Sequence, residues 1–134
     1  MAFDYGLRQI GVASGNTLTG TSSEVTVLRA RDGVPDWDSV AALFTDWRPA
    51  LVVVGLPLNM DDTEGELADR ARKFGRRLQG RFNIPVEYVD ERLSSHAAKS
   101  MLREQGHRGD YREAPADALA ARLILDTWLA AHAE

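Results

Sequence analysis

The sequence predicts an α/β domain built on one mixed five-stranded sheet, with three antiparallel strands, two parallel strands, and helices on both faces. Three observations lead there. The first thirty residues read as short strands joined by Gly and Asn turns. Leu51–Gly55 and Ile84–Val89 read as apolar strands buried on both faces. The segments around them place apolar residues at helical spacing, and helices crossing between strands imply parallel pairing.

The elements follow in order. Met1–Tyr5 is short and apolar around one acid, Asp4, and Gly6 offers a turn. Gln9–Ser14 resumes a strand, with Gly15 and Asn16 as turn residues. Thr21–Leu28 alternates, with Val25 and Val27 on one side, and Arg31–Pro35 reads as a loop. From Asp36 the period changes. Trp37, Val40, Ala41, Leu43, Phe44 and Trp47 recur at three- and four-residue spacing, a helix that Pro49 ends. After the strand at Leu51–Gly55, Leu56–Asp62 is a loop. Thr63 and Glu66 have capping-box spacing and open a helix to about Leu78, with Gly80 as its stop. Beyond Ile84–Val89, Ser94 caps a short helix ended by Gly106, and His107–Ala114 is a polar loop. Pro115 suits the first turn of a last helix, to about Ala131.

Length and composition bound the function. A chain of 134 residues is expected to form a single domain, 1–134. The absence of cysteine excludes a disulfide scaffold, a thiolate zinc site and a cysteine nucleophile. With no 18-residue apolar run and no signal peptide, no membrane association is expected and the cytoplasm is the expected compartment. The formal charge is 16 − 20 = −4, which argues against coating nucleic acid through bulk charge. No glycine-rich phosphate loop is present.

Three acids are out of keeping with their surroundings. Asp4 lies in a strand that should be buried, where a carboxylate must be hydrogen-bonded, paired or bound to metal; the alternative is an edge-strand or turn acid before Gly6. Asp90 and Glu91 follow the apolar run at Val86–Val89, and the carboxyl ends of parallel strands are where open α/β sheets place ligands. Neighbouring strand residues face opposite ways, so only one of the pair points into a given site; a salt bridge with Arg92 is the competing reading. Asp117 is in the first turn of the last helix and shares a face with Ala121, Ile124 and Trp128. An acid there also complements the helix dipole. Together the three can converge. Oxygen-only ligands suit Mg²⁺ or Mn²⁺, and a two-ion site stabilises the attacking and leaving oxygens of phosphodiester hydrolysis.

Four ordered blocks, Asp4–Ala13, Val54–Thr63, Val89–Ser94 and Asp117–Leu125, make the chain resemble the YqgF family, also called RuvX or the Holliday junction resolvase-like nucleases. The resemblance implies a ribonuclease H-like fold and a cytoplasmic, metal-dependent nuclease that matures the 5′ end of precursor 16S ribosomal RNA. Cleavage of four-way DNA junctions is the alternative, and a non-catalytic RNA- or ribosome-binding module is the alternative of another class. The implied partners are precursor ribosomal RNA or branched DNA and ribosomal particles, acted on by a monomer or weak homodimer. The family's acids fall on Asp4, Glu91 (with Asp90 competing) and Asp117.

Substrate contacts are expected from basic and amide side chains. Six of the 16 Lys and Arg lie between Arg70 and Arg81. Arg70, Lys73 and Arg77 fall on one helix face as a phosphate track, with Arg72 and Arg76 in a second row; a solvated helix face is the alternative. Arg92 adjoins a presumed metal ligand, Arg8 lies in the first block, and Asn59 stands in a loop leaving a strand end. Trp37, Trp47 and Trp128 fall on apolar stripes and read as core.

Overall fold

The computed structural model describes residues 1–57, 64–90 and 116–132, the side chains of residues 116 and 117 lying outside that description. Strand β1 (Ala2–Asp4) is followed by β2 (Gln9–Asn16), β3 (Thr21–Arg31) and β4 (Val34–Pro35). Helix α1 (Trp37–Trp47), β5 (Val52–Leu56), α2 (Glu66–Phe82), β6 (Val86–Asp90) and α3 (Ala116–Ala131) complete the described elements. The sheet order is β4-β3-β2-β1-β5-β6. β1 pairs antiparallel with β2 and parallel with β5, and β5 pairs parallel with β6.

Strand alternation divides the interior in two. Phe3, Ile10, Val12, Val52 and Val54 point to one face, where Val40 of α1 and Ala68, Ala71, Phe74 and Leu78 of α2 cover them. Ala2, Ala13 and Val53 point to the other, beneath Ala121, Ile124, Leu125 and Leu129 of α3. Helices on both faces are therefore present as expected. Burying a side chain such as Phe3 or Ile124 contributes about 1.5–3 kcal/mol.

Several boundaries differ from expectation. Among the described residues the sheet has six strands, not five. The segment read as a loop at 31–35 is a hairpin, in which Asp32 and Gly33 both take positive φ (49° and 81°) and turn β3 into β4. β2 runs on through Gly15 and Asn16, which pair with Ser22 and Thr21. β6 is an edge strand, exposed at Glu87, rather than one buried on both faces. α2 is capped by Gly65, with no side-chain hydrogen bond, so the Thr63–Glu66 box does not open it. It passes through Gly80 and stops at Asn83, whose φ of 51° is left-handed. Glycine costs a helix about 1 kcal/mol, and the Phe82 ring stacked 4.2 Å from Phe44 offsets that cost. Trp37 and Trp128 pack against the core, but Trp47, at the end of α1, is exposed. The expected helix between Ser94 and Gly106 lies outside the described residues. Among the described residues no helix is long and apolar enough to cross a membrane.

Candidate active site

β1, β5 and β6 run parallel and end at one edge of the sheet, at Asp4, Leu56 and Asp90. Asp4 shares its parity with Ala2, so it faces the α3 side of the sheet. It is the one buried charged residue among those described, 7% exposed. A carboxylate so placed has to be compensated, and Asp4 does engage a partner, as does Asp90. The reading of Asp4 as an edge-strand acid does not hold, because β1 is interior to the sheet.

The neighbours of Asp4 in the sheet register are small. Its partner in register on β2 is Gly11. On the other side, Phe3 pairs with Val54, so the parallel register carried one residue on sets Gly55 beside it. A strand residue facing α3 is thus flanked by two residues without side chains.

Asp90 pairs with Leu56 and has the parity of Tyr88, which packs on the α1/α2 side. Val89 packs on the α3 side. Asp90 therefore faces away from Asp4. Asp117 lies in the first turn of α3. The helical stripe to which it belongs, Ala121 and Ile124, is fully buried over Ala2, Ala13 and Val53. Glu91, Arg92 and Asn59, and the side chain of Asp117, lie outside the described residues. Among the described residues no three acids or histidines gather into a metal-binding cluster. The donor chemistry fits a hard divalent cation: a buried carboxylate at a strand end, with no nitrogen or sulfur ligand beside it in the sheet register.

The basic residues divide sharply. Arg8 is exposed in the β1–β2 loop, which is tied to the sheet where its carbonyl accepts from the Ala30 N–H at 2.8 Å. On α2, Arg70 donates to the Asp32 carboxylate at 3.0 Å and lies 3.5 Å from Glu66. The Asp32 hydrogen bond and charge raise the Arg70 pKa. Arg72 makes a two-pronged bond to Glu64 at 2.6 and 2.9 Å, raising its own pKa and lowering that of Glu64. It also lies over the Tyr88 ring, 4.9 Å from the centroid. Arg81 covers Trp37 at 4.2 Å. Lys73, Arg76 and Arg77 are exposed. The phosphate track expected along α2 is thus interrupted by internal pairing.

Sequence reasoning missed Tyr5 and the 32–33 turn. Tyr5 follows Asp4 and so faces the α1/α2 side, where its hydroxyl donates to the Gly33 carbonyl at 3.1 Å. With Arg70, Lys73 and Arg77 these residues line a recess of about 290 Å³. The signal was the Asp-Gly pair, a hairpin dipeptide. A larger recess of about 610 Å³, lined by Gly15, Trp47 and Leu129, opens at the other end of the sheet and includes no expected site residue.

A family model described as RuvX, Holliday junction resolvase, matches residues 1–131. A protein of Pseudomonas aeruginosa named "Putative pre-16S rRNA nuclease" is 58% identical over 132 residues, spanning 98% of this chain and 92% of its own. One of the same name from Chromohalobacter salexigens is 55% identical over 130 residues, spanning 97% and 88%. RuvC of Thermus thermophilus, solved in complex with a Holliday junction substrate, superposes with a TM-score of 0.51 at 18% identity, covering 91% of this chain and 88% of that one. That likeness is one of fold, the ribonuclease H-like fold.

Proposed function

The chain belongs to the RuvX family, and from that membership we propose that it is a divalent-metal-dependent nuclease that hydrolyses phosphodiester bonds in structured RNA, trimming the 5′ end of precursor 16S ribosomal RNA. The observation that supports this most directly is Asp4: a buried carboxylate at the carboxyl edge of the parallel strands, between two glycines. Relatives named for pre-16S rRNA favour RNA as the substrate.

In this reading Asp4, Glu91 and Asp117 hold two Mg²⁺ or Mn²⁺ ions. Those ions supply the Lewis acidity that stabilises the attacking and leaving oxygens. The chain's own contribution is placement. β1, paired with β2 and β5, fixes Asp4, and Gly11 and Gly55 add no side chain beside it in the sheet register. Strand parity favours Glu91 over Asp90, since Asp90 faces the other side of the sheet. Docking of α3 on Ala2 and Ala13, the face to which Asp4 points, supports the inclusion of Asp117 from its first turn. Arg8, Asn59 and Arg92 bind substrate phosphate or ribose around the ions, and Arg70, Lys73 and Arg77 reach it from α2. The enzyme acts in the cytoplasm, on free precursor RNA or ribosomal particles, as a monomer or weak homodimer.

The family description supplies the second reading, cleavage of a four-way DNA junction by the same residues. Cleavage assays on precursor 16S rRNA and on a four-way junction, each with Mg²⁺ or Mn²⁺, separate the two. The RNA reading predicts cleavage of the RNA at a defined 5′ position and little of the junction. Metal-independent binding without cleavage of either points to a binding module.

A further inference from the structure

The recess beside Tyr5 differs from the rest of the basic surface of α2. Of its three cations, Arg70 is engaged by Asp32 and Glu66. Lys73 and Arg77, four residues apart on one face, have no carboxylate partner among the described residues. Elsewhere on α2, Arg72 is committed to Glu64 and Tyr88, and Arg81 to Trp37. Of the α2 cations without a partner among the described residues, Lys73 and Arg77 line a concavity and Arg76 does not.

The wall of the recess is fixed. The Tyr5 hydroxyl holds the Gly33 carbonyl, and the Gly33 N–H donates to the Leu7 carbonyl at 2.8 Å. Gly33 has a positive φ, and a Cβ there would collide with the Tyr5 hydroxyl. The turn is thus held against the exit of β1 with its shape set before any ligand arrives. Asp32, by contrast, is exposed, and its carboxylate is the one anion lining the recess among the described residues.

We infer that this recess seats one backbone phosphate of the nucleic acid, other than the phosphate that reacts, held by Lys73 and Arg77, with Asp32 competing against it for Arg70. The inference rests on the nuclease reading and adds to it where the strand lies. Tyr5 and Asp4 are adjacent in the chain, about 3.8 Å apart at Cα, yet face opposite sides of β1. A strand bound at both places crosses the carboxyl edge of the sheet between the ion-binding face and the α2 face. An uncharged side chain at position 32 releases Arg70 to the phosphate. Asn is suited to that turn, since it tolerates left-handed φ.

The test separates binding from cleavage. Affinity for a labelled hairpin RNA and for a labelled four-way DNA junction is measured in EDTA between 50 and 300 mM KCl, in the Asp4→Asn background. The double variant Lys73→Ala/Arg77→Ala is expected to bind about tenfold more weakly at the low-salt end. The slope of log affinity against log salt should fall by about 0.7–0.9, one phosphate contact. Arg48→Gln, altering an exposed cation at the other end of the sheet, should leave the slope within error. Asp32→Asn should tighten binding about threefold. An unchanged slope in the double variant overturns the inference, as does an equal loss in Arg48→Gln, which would mean diffuse charge. No tightening in Asp32→Asn overturns the competition with Arg70. Cleavage by the wild-type chain, lost in Asp4→Asn, reports separately on the nuclease reading.

Discussion

Asp4 on β1 stands directly opposite Gly11 on β2. Side chains so opposed lie about 4.5–5.5 Å apart at Cβ in an antiparallel pair. Any residue larger than glycine at 11 therefore enters the space beside the Asp4 carboxylate. Gly11→Val places a good strand former there, with a branched side chain beside the carboxylate. The expected outcome is at least a tenfold loss of cleavage in a protein that still unfolds cooperatively. Rate and melting temperature measured together decide it: a valine variant with the wild-type rate shows that the gap is not used.

The acidic pair at the end of β6 makes a second prediction. Asp90 faces the side of Tyr88, away from Asp4. Glu91→Gln should therefore reduce cleavage at saturating metal by a hundredfold or more, and Asp90→Asn by less than tenfold. Titrating Mn²⁺ against each variant tests the assignment, and the opposite ranking transfers the ligand role to Asp90.

Tyr5 sets a pH dependence. Burial, the largest cause, raises its phenol above the ordinary value of 10.0. A raised pKa means that the neutral form is favoured in the folded chain. The corresponding stability is fully present below pH 10 and is lost as pH rises through the higher folded value. Tyr5→Phe should lower stability by about 1 kcal/mol at neutral pH, from the lost bond to Gly33, but show a shallower decline in alkali. Urea midpoints from pH 8 to 11 for both proteins provide the comparison, and parallel curves would contradict it.

Gly75 is a packing requirement of α2. A Cβ there would collide with the Tyr88 hydroxyl, which donates to the Arg72 carbonyl at 3.3 Å. Alanine raises helix propensity by about 1 kcal/mol, yet Gly75→Ala should destabilise the fold by about 1–2 kcal/mol because overpacking exceeds that gain. Adding Tyr88→Phe removes the colliding oxygen and should recover part of the loss. Thermal unfolding of the two single variants and the double variant measures the coupling.

These residues also show what a sequence reveals. Asp4 is legible because a charge interrupts an apolar strand, and the two-sided sheet is legible because β5 is continuously apolar. The sixth strand is not, since Val34–Pro35 is too short to display alternation. The end of α2 is misread at Gly80 because the compensating contact, Phe82 on Phe44, is distant in sequence. The pairing within the phosphate track is hidden for the same reason. Periodicity puts Arg70, Lys73 and Arg77 on one face, but Asp32, 38 residues away, engages Arg70. Pairing of surface charges is a tertiary fact, and spacing within one helix cannot report it.

In the proposed function Asp4 holds the ions that cleave RNA. Cleavage of precursor 16S rRNA by wild type and Asp4→Asn, with 5 mM Mg²⁺ and with EDTA, tests it most directly. The expected result is metal-dependent cleavage by wild type, abolished by EDTA and reduced at least a thousandfold in Asp4→Asn, with circular dichroism unchanged. Undiminished cleavage by the folded Asn variant contradicts it.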